Sequence, residues 1–120
     1  MSDSHERGRW AEELAYQYLL QQGLDLIQRN YRCRAGEIDL IMKHQRTLVF
    51  IEVRYRASAH FGTSAESIDS RKQQRIYKTA EHYIQHCHDC EQFTCRFDAL
   101  LISGYPPSSN IEWIKNAFQG

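Results

Sequence analysis

No apolar run in the 120 residues approaches the ~20 that a membrane-spanning helix requires. The first residues, MSDSHERGRWAEE, are polar and acidic, without the basic start and apolar stretch of a secretory signal. A cytoplasmic protein with no membrane partner is therefore expected. There are only two prolines, adjacent in GYPPSSN (residues 104–110), where they mark a turn. Internal repeats and low-complexity segments are missing, which excludes a solenoid or a disordered tract. An excess of charge of one sign is missing too, since 15 Lys and Arg balance 15 Asp and Glu. The remaining composition, 42% hydrophobic and 25% charged, is that of a globular chain. Its length predicts one domain over residues 1–120, with a core of two packed layers.

The zero net charge hides a segregation. Residues 28–78 hold eleven Lys or Arg against five Asp or Glu, a surplus of six positive charges. Each flank, 1–27 and 79–120, holds two basic and five acidic residues, a deficit of three. If the basic middle folds into one face, that face attracts an anion; scattered solvated charge gives the same count.

From Trp10 to Gln22 the residues Ala11, Leu14, Ala15, Tyr18 and Leu19 recur at helical spacing, and Gly23 follows as a C-terminal stop. LDLIQRNYR, EIDLIMK and TLVFIEVRYR (residues 24–32, 37–43 and 47–56) then read as strands, the last two as a hairpin. After a loop, SAHFGTSAES (58–67), Ser70 with Gln73 three residues on has the spacing of a capping box. That predicts a second helix with Ile76, Ala80, Tyr83, Ile84 and Cys87 facing inward. FTCRFDALLIS (93–103) is a strand, and NIEWIKNAF (110–118) closes as another. The order helix, three strands, helix, two strands predicts an α/β fold, a mixed sheet flanked by helices.

Within the hairpin, GEIDLIMKHQRTLVFIEVRYR (36–56) puts Asp39 and Glu52 into runs that otherwise read as buried strands. A turn of two or four residues sets them directly opposite; a turn of three offsets them by one. HQRT carries no Asn-Gly type of signature, so the register stays open. In the even register, two like charges share one face and repel. Either a hard divalent cation, Mg²⁺ or Mn²⁺, sits between them, or Arg34, Arg54 or Arg56 neutralises them as a surface network. Two further residues bear on the choice. Glu12 lies at the border of the first helix's apolar stripe, with Glu13 on the far side. Lys72 lies in the first turn of the second helix, where the dipole disfavours a cation.

Glu12, GEIDLI with Asp39, VFIEVR with Glu52, Lys72 and FDALLI together resemble the YraN family of endonuclease-like proteins, which in turn look like archaeal Holliday-junction resolvases. The resemblance runs from about Gly8 to Phe118. It implies a restriction-endonuclease-like core and a metal-dependent nuclease site of the P-D-(D/E)-x-K type acting on structured or branched DNA. Asp39, Glu52 and the Val53 carbonyl would bind the metal, and Glu12 would hold a water on it. The motif's lysine falls at Arg54, which is always charged and cannot serve as a deprotonated base. Arg54 could neutralise Glu52 or grip the phosphate, and Lys72 could supply the missing ammonium. The resemblance further implies phosphate contacts from Arg29, Arg32, Arg34, Arg56, Arg71, Arg75 and Lys78. A homodimer follows if assembly is similar to that of the resolvases. Tyr31, Tyr55 and Phe61 are candidates for base stacking, with core packing the weightier alternative. The rival function is a DNA-binding module of the same fold that cleaves weakly or not at all because of Arg54.

Cys87, Cys90 and Cys95 with His82, His86 and His88 contain one C-x-x-C, but the second pair of a zinc ribbon is missing. Zinc is not expected, and free thiols are.

Overall fold

The computed structural model describes residues 4–56, 68–104 and 109–118. Helix α1 (Ser4–Gln21) is followed by strands β1 (Asp25–Cys33), β2 (Gly36–His44) and β3 (Thr47–Arg56), helix α2 (Ser70–Gln85), and strands β4 (Thr94–Ser103) and β5 (Asn110–Phe118). A short 3₁₀ turn, Cys90–Gln92, precedes β4. The strands form one five-stranded sheet in the order β1-β2-β3-β4-β5. Only β3 and β4 are parallel, because α2 supplies the crossover between them; the other neighbours are antiparallel. The α/β class and the element order expected from the sequence are those of the structure.

The central strands are the most apolar because helices cover both faces of the sheet. Ala11, Ala15 and Leu19 of α1, spaced four apart, pack on Leu40, Met42, Val49, Ile51, Leu100 and Ile102. Ile76 and Ala80 of α2 pack on the other face with Ile41, Leu48, Phe50, Ala99 and Leu101. The edge strands β1 and β5 instead mix exposed and half-buried positions.

Helix α1 starts at Ser4, before Trp10, where the apolar spacing begins. It ends as expected. Gly23 takes φ +96°, and the Leu24 N–H reaches the Leu19 carbonyl at 3.1 Å, a Schellman closure. The cap of α2 differs from expectation: Asp69, not Ser70, accepts the Lys72 N–H at 2.8 Å. An aspartate adds the favourable interaction of negative charge with the helix N-terminus, and Ser70 becomes the first helical residue. Gln73 turns back to donate to the Ile68 carbonyl at 2.8 Å.

Cys87 packs against the α2-side core as expected, but from beyond the helix, which stops at Gln85. Unwinding brings the Cys87 and Cys90 Cα atoms to 5.6 Å, and the two form a disulfide where free thiols were expected. Cys33 and Cys95 are free. Segment 58–67 and its Phe61 lie outside the described residues.

Candidate active site

The β2–β3 turn has two residues, Gln45 and Arg46, with His44 paired to Thr47 and Gln45 at φ +59°. The register is therefore even. The ladder between these strands runs as far as Leu40–Ile51, and Asp39 and Glu52 are the next opposed pair, at the point where pairing stops. On the other side of β2, pairing with β1 skips from Arg29–Leu40 to Tyr31–Ile38. The skipped residues are Asn30, at φ +52°, and Asp39. Ile38 packs in the α2-side core while Leu40 packs in the α1-side core, so β2 turns over at Asp39. The Val53 N–H, freed from the β2 ladder, donates to Asp39 Oδ2 at 2.8 Å.

The parting of the strands opens a cavity of about 550 Å³ lined by Glu12, Asp39, Glu52, Val53, Arg54 and Lys72, with Gly8 at its rim. Each helix contributes through one face. Ala11 anchors α1 in the core and leaves its neighbour Glu12 half-buried toward the cavity, whereas Glu13 is exposed and pairs with Arg29 at 2.9 Å. From α2, Lys72 Nζ reaches Glu52 Oε2 at 2.6 Å, and the Arg54 guanidinium stands 4.0 Å from the same oxygen. Glu52 is 5% exposed.

This clustering shifts the acids. Burial pushes the Asp39 carboxyl well above the usual carboxylate range; Glu52, and further off Glu12 and Glu37, push the same way, and the Val53 N–H opposes them. Glu12 is raised first by burial and then by Glu37 and Glu52, while a hydrogen bond from the Asn30 side chain and the charge of Arg29 hold it down. Burial of an acid is not sufficient to make a site. Asp98 in β4 is fully buried, yet Arg96 Nε, Trp113 Nε1 and the Asn116 N–H all donate to it within 3.2 Å. Asp98 is satisfied internally, whereas Asp39 receives one backbone N–H and faces other acids.

Oxygen-rich, partly neutralised carboxylates of this kind suit a hard cation such as Mg²⁺ or Mn²⁺. The set is not drawn into a finished cage: among the described residues, no three His, Cys, Asp or Glu side chains are grouped closely enough to hold an ion. Lys72 instead occupies one Glu52 oxygen.

The basic residues divide. Arg34 and Arg75 line an adjoining cavity of about 400 Å³ that shares Asp39, Glu52 and Lys72 with the first. Arg29 is taken up by Glu13 and lies over the Tyr16 ring, and Arg32 pairs with Glu37 at 3.2 Å. Arg71 and Lys78 are exposed on α2 and line neither cavity. The Arg56 side chain lies outside the described residues. Tyr31 shares a 2.5 Å hydrogen bond with His82 and meets Tyr83 edge-on; Tyr55 meets Trp10 edge-on. Both rings are thus engaged in packing. Asn30 was missed by sequence reasoning. Its one legible signal is an asparagine, tolerant of left-handed backbone, interrupting a strand between Arg29 and Tyr31.

A solved structure, SfsA of Pyrococcus furiosus in complex with Ca²⁺, aligns over 94% of this chain and 64% of that one, at 11% identity and a TM-score of 0.33, too distant to carry weight. Sequence relatives are close. A UPF0102 protein of Nitrosomonas europaea is 52% identical over 98% of this chain and 98% of its own. One from Saccharophagus degradans is 48% identical over 98% and 97%. The model of the uncharacterised protein family UPF0102 matches residues 11–102. Together with the YraN-type motifs that span it, this match means that the chain belongs to the UPF0102 (YraN) family.

Proposed function

We propose that the protein is a divalent-metal-dependent endonuclease that hydrolyses phosphodiesters in structured or branched DNA. The observation that carries this reading is the meeting of Glu12, Asp39 and Glu52, from α1, β2 and β3, in one open cavity, with the Asp39 carboxyl raised by burial and by its acidic neighbours. An acid placed so, with one internal hydrogen bond, gains by taking a cation. Asp39, Glu52 and the Val53 carbonyl would hold Mg²⁺ or Mn²⁺, and Glu12 would complete the set. When bound, such an ion polarises a phosphoryl oxygen and lowers the pKa of water.

The chain's own residues supply charge and orientation. Lys72 and Arg54, both close to Glu52, can neutralise charge that builds on a phosphate at the acids. Arg54 cannot give up its proton, so it acts only as a fixed charge, and among the described residues Lys72 is the ammonium that lines the cavity. Asn30 favours the ionised form of Glu12 against its burial.

A second reading keeps the fold and its DNA binding without efficient cleavage. It is favoured by the same 2.6 Å contact, in which Lys72 already neutralises Glu52, and by the arginine at position 54. Incubating duplex, nicked, flap and four-way-junction DNA with and without Mn²⁺ separates the two. Metal-dependent cleavage that disappears in Asp39→Ala supports the endonuclease. Retention of DNA at low salt without cleavage supports the binding module. Cleavage that persists in Asp39→Ala rules out this site as its source.

A further inference from the structure

The two cavities at the acids are lobes of one groove, since Asp39, Glu52 and Lys72 line both. The second lobe lies between the β1–β2 turn and α2. Its chemistry differs from the first, because beside the shared Asp39 and Glu52 it adds two arginines that no carboxylate of the described residues engages. Arg29, Arg32, Arg54, Lys72 and Arg96 each have a carboxylate oxygen within 4.0 Å. Among the described residues, Arg34 and Arg75 do not. Of the acids that line this lobe, Arg32 holds Glu37 at 3.2 Å and Lys72 holds Glu52 at 2.6 Å, while Asp39 accepts the Val53 N–H at 2.8 Å.

The approach of the two arginines is built in. Cys33 pairs with Gly36, so Arg34 sits in a tight turn of two residues. That turn lies against α2 so closely that a Cβ on Gly36 would meet Thr79 Oγ1 at 3.2 Å and Arg75 Cβ at 3.5 Å. Thr79 is fully buried and donates to the Arg75 carbonyl at 2.7 Å, fixing the backbone beneath that side chain. Arg34 and Arg75 thereby branch from closely packed backbone into the lining of a groove that they share with the acid cluster. Planar guanidinium forks match phosphate oxygens.

We propose that the second lobe is a subsite for the phosphate next to the reacting one, held by Arg34 and Arg75. The inference rests on the hydrolase reading for the identity of the first phosphate. It makes the substrate a continuing nucleic-acid strand, with consecutive phosphates spanning the two lobes, and not a mononucleotide or a phosphomonoester. It also implies a polarity, because the second lobe adjoins the first on the side of the β1–β2 turn.

The test uses the full chain, Ca²⁺ and three thymidine ligands. TpT carries one internal phosphodiester; pTpT and TpTp add a terminal phosphate on one side or the other. Calorimetry on the wild type is expected to give about fivefold tighter binding for one of the two extended ligands. The other should bind as TpT does. Arg34→Ala/Arg75→Ala should bind TpT as the wild type does and lose the gain, and the double lysine variant should recover part of it. Both side chains are exposed, so the fold is not at stake. Equal binding of all three ligands by the wild type, or a gain that survives in the alanine variant, overturns the proposal. Manganese uptake, measured on the wild type and Asp39→Ala, reports separately on the hydrolase reading. Absent uptake beside an arginine-dependent phosphate gain would remove the metal and leave the subsite standing.

Discussion

Lys72 Nζ lies 2.6 Å from Glu52 Oε2, although Lys72 belongs to the first turn of α2, the end of a helix that repels cations. The contact is sustained because Glu52 is almost wholly buried and has Asp39 as its cross-strand neighbour. Lys72 thus supplies the positive charge this buried carboxylate needs, which under the proposed function a divalent ion would also supply.

Lys72→Ala should therefore destabilise the metal-free protein. Breaking a fully buried pair costs about 3–5 kcal/mol, but the lysine side chain is 35% exposed, and solvent screening reduces the expected loss to about 1–2 kcal/mol. Urea denaturation should show most of that loss recovered in Mn²⁺, while cleavage falls. Full cleavage by this variant would remove Lys72 from the mechanism.

The raised carboxyl of Asp39 carries a definite sign. A carboxyl that ionises at higher pH in the folded chain than in the unfolded chain keeps its proton longer when folded. Stability then falls as pH rises from the usual carboxylate value through the folded one. Asp39→Asn removes the charge and can still accept from the Val53 N–H. Without divalent ions it should melt above the wild type at neutral pH, with the difference closing near pH 4. Metal uptake by the wild type should release a proton, seen as a calorimetric heat that depends on the buffer and an affinity that rises with pH.

Asn30 has two roles that substitution can separate. Its backbone stands at φ +52° where β1 passes Asp39, and its side chain hydrogen-bonds Glu12. Asn30→Gly relieves the left-handed backbone but loses the amide; Asn30→Ala loses the amide and adds roughly 1 kcal/mol of backbone strain. Thermal melts should separate the two variants, with alanine the lower. Cleavage should fall in both to a similar degree, and a glycine variant with wild-type cleavage would confine Asn30 to a backbone role.

What the sequence made legible follows from how local each cause is. The runs LVFI and ALLI read as strands, and the spacing of Ala11, Ala15 and Leu19 turned one helical face inward. The same spacing oriented Glu12, and the stripe that begins at Ile76 oriented Lys72. The meeting of Asp39 with Glu52 depended on Gln45 adopting φ +59°, a conformation that glutamine does not signal. The choice between Asp69 and Ser70 as cap lies between two adjacent residues with equal propensity, settled by charge at the helix end. The Cys87–Cys90 bridge required the helix to stop at Gln85, and the turning-over of β2 at Asp39 required β1 to bend at Asn30. Those causes are tertiary, and no local pattern encodes them.

The seat of the second lobe can be tested without touching a charge. Gly36→Ala inserts one methyl between the β1–β2 turn and α2, at 3.2 Å from Thr79 Oγ1 and 3.5 Å from Arg75 Cβ. Thr79 is fully buried and committed to the Arg75 carbonyl, and the φ of +156° at Gly36 strains any side chain there, so the turn gives way before Thr79 does. Overpacking of this kind costs about 1–3 kcal/mol. Lifting the turn carries Arg34 away from Arg75 while leaving Glu12 and Lys72 attached to their helices. Gly36→Ala should therefore bind Mn²⁺ close to normally but lose the added affinity for a second phosphate. Equal loss of both would mean that the turn supports the acids themselves, through Asp39 three residues along β2.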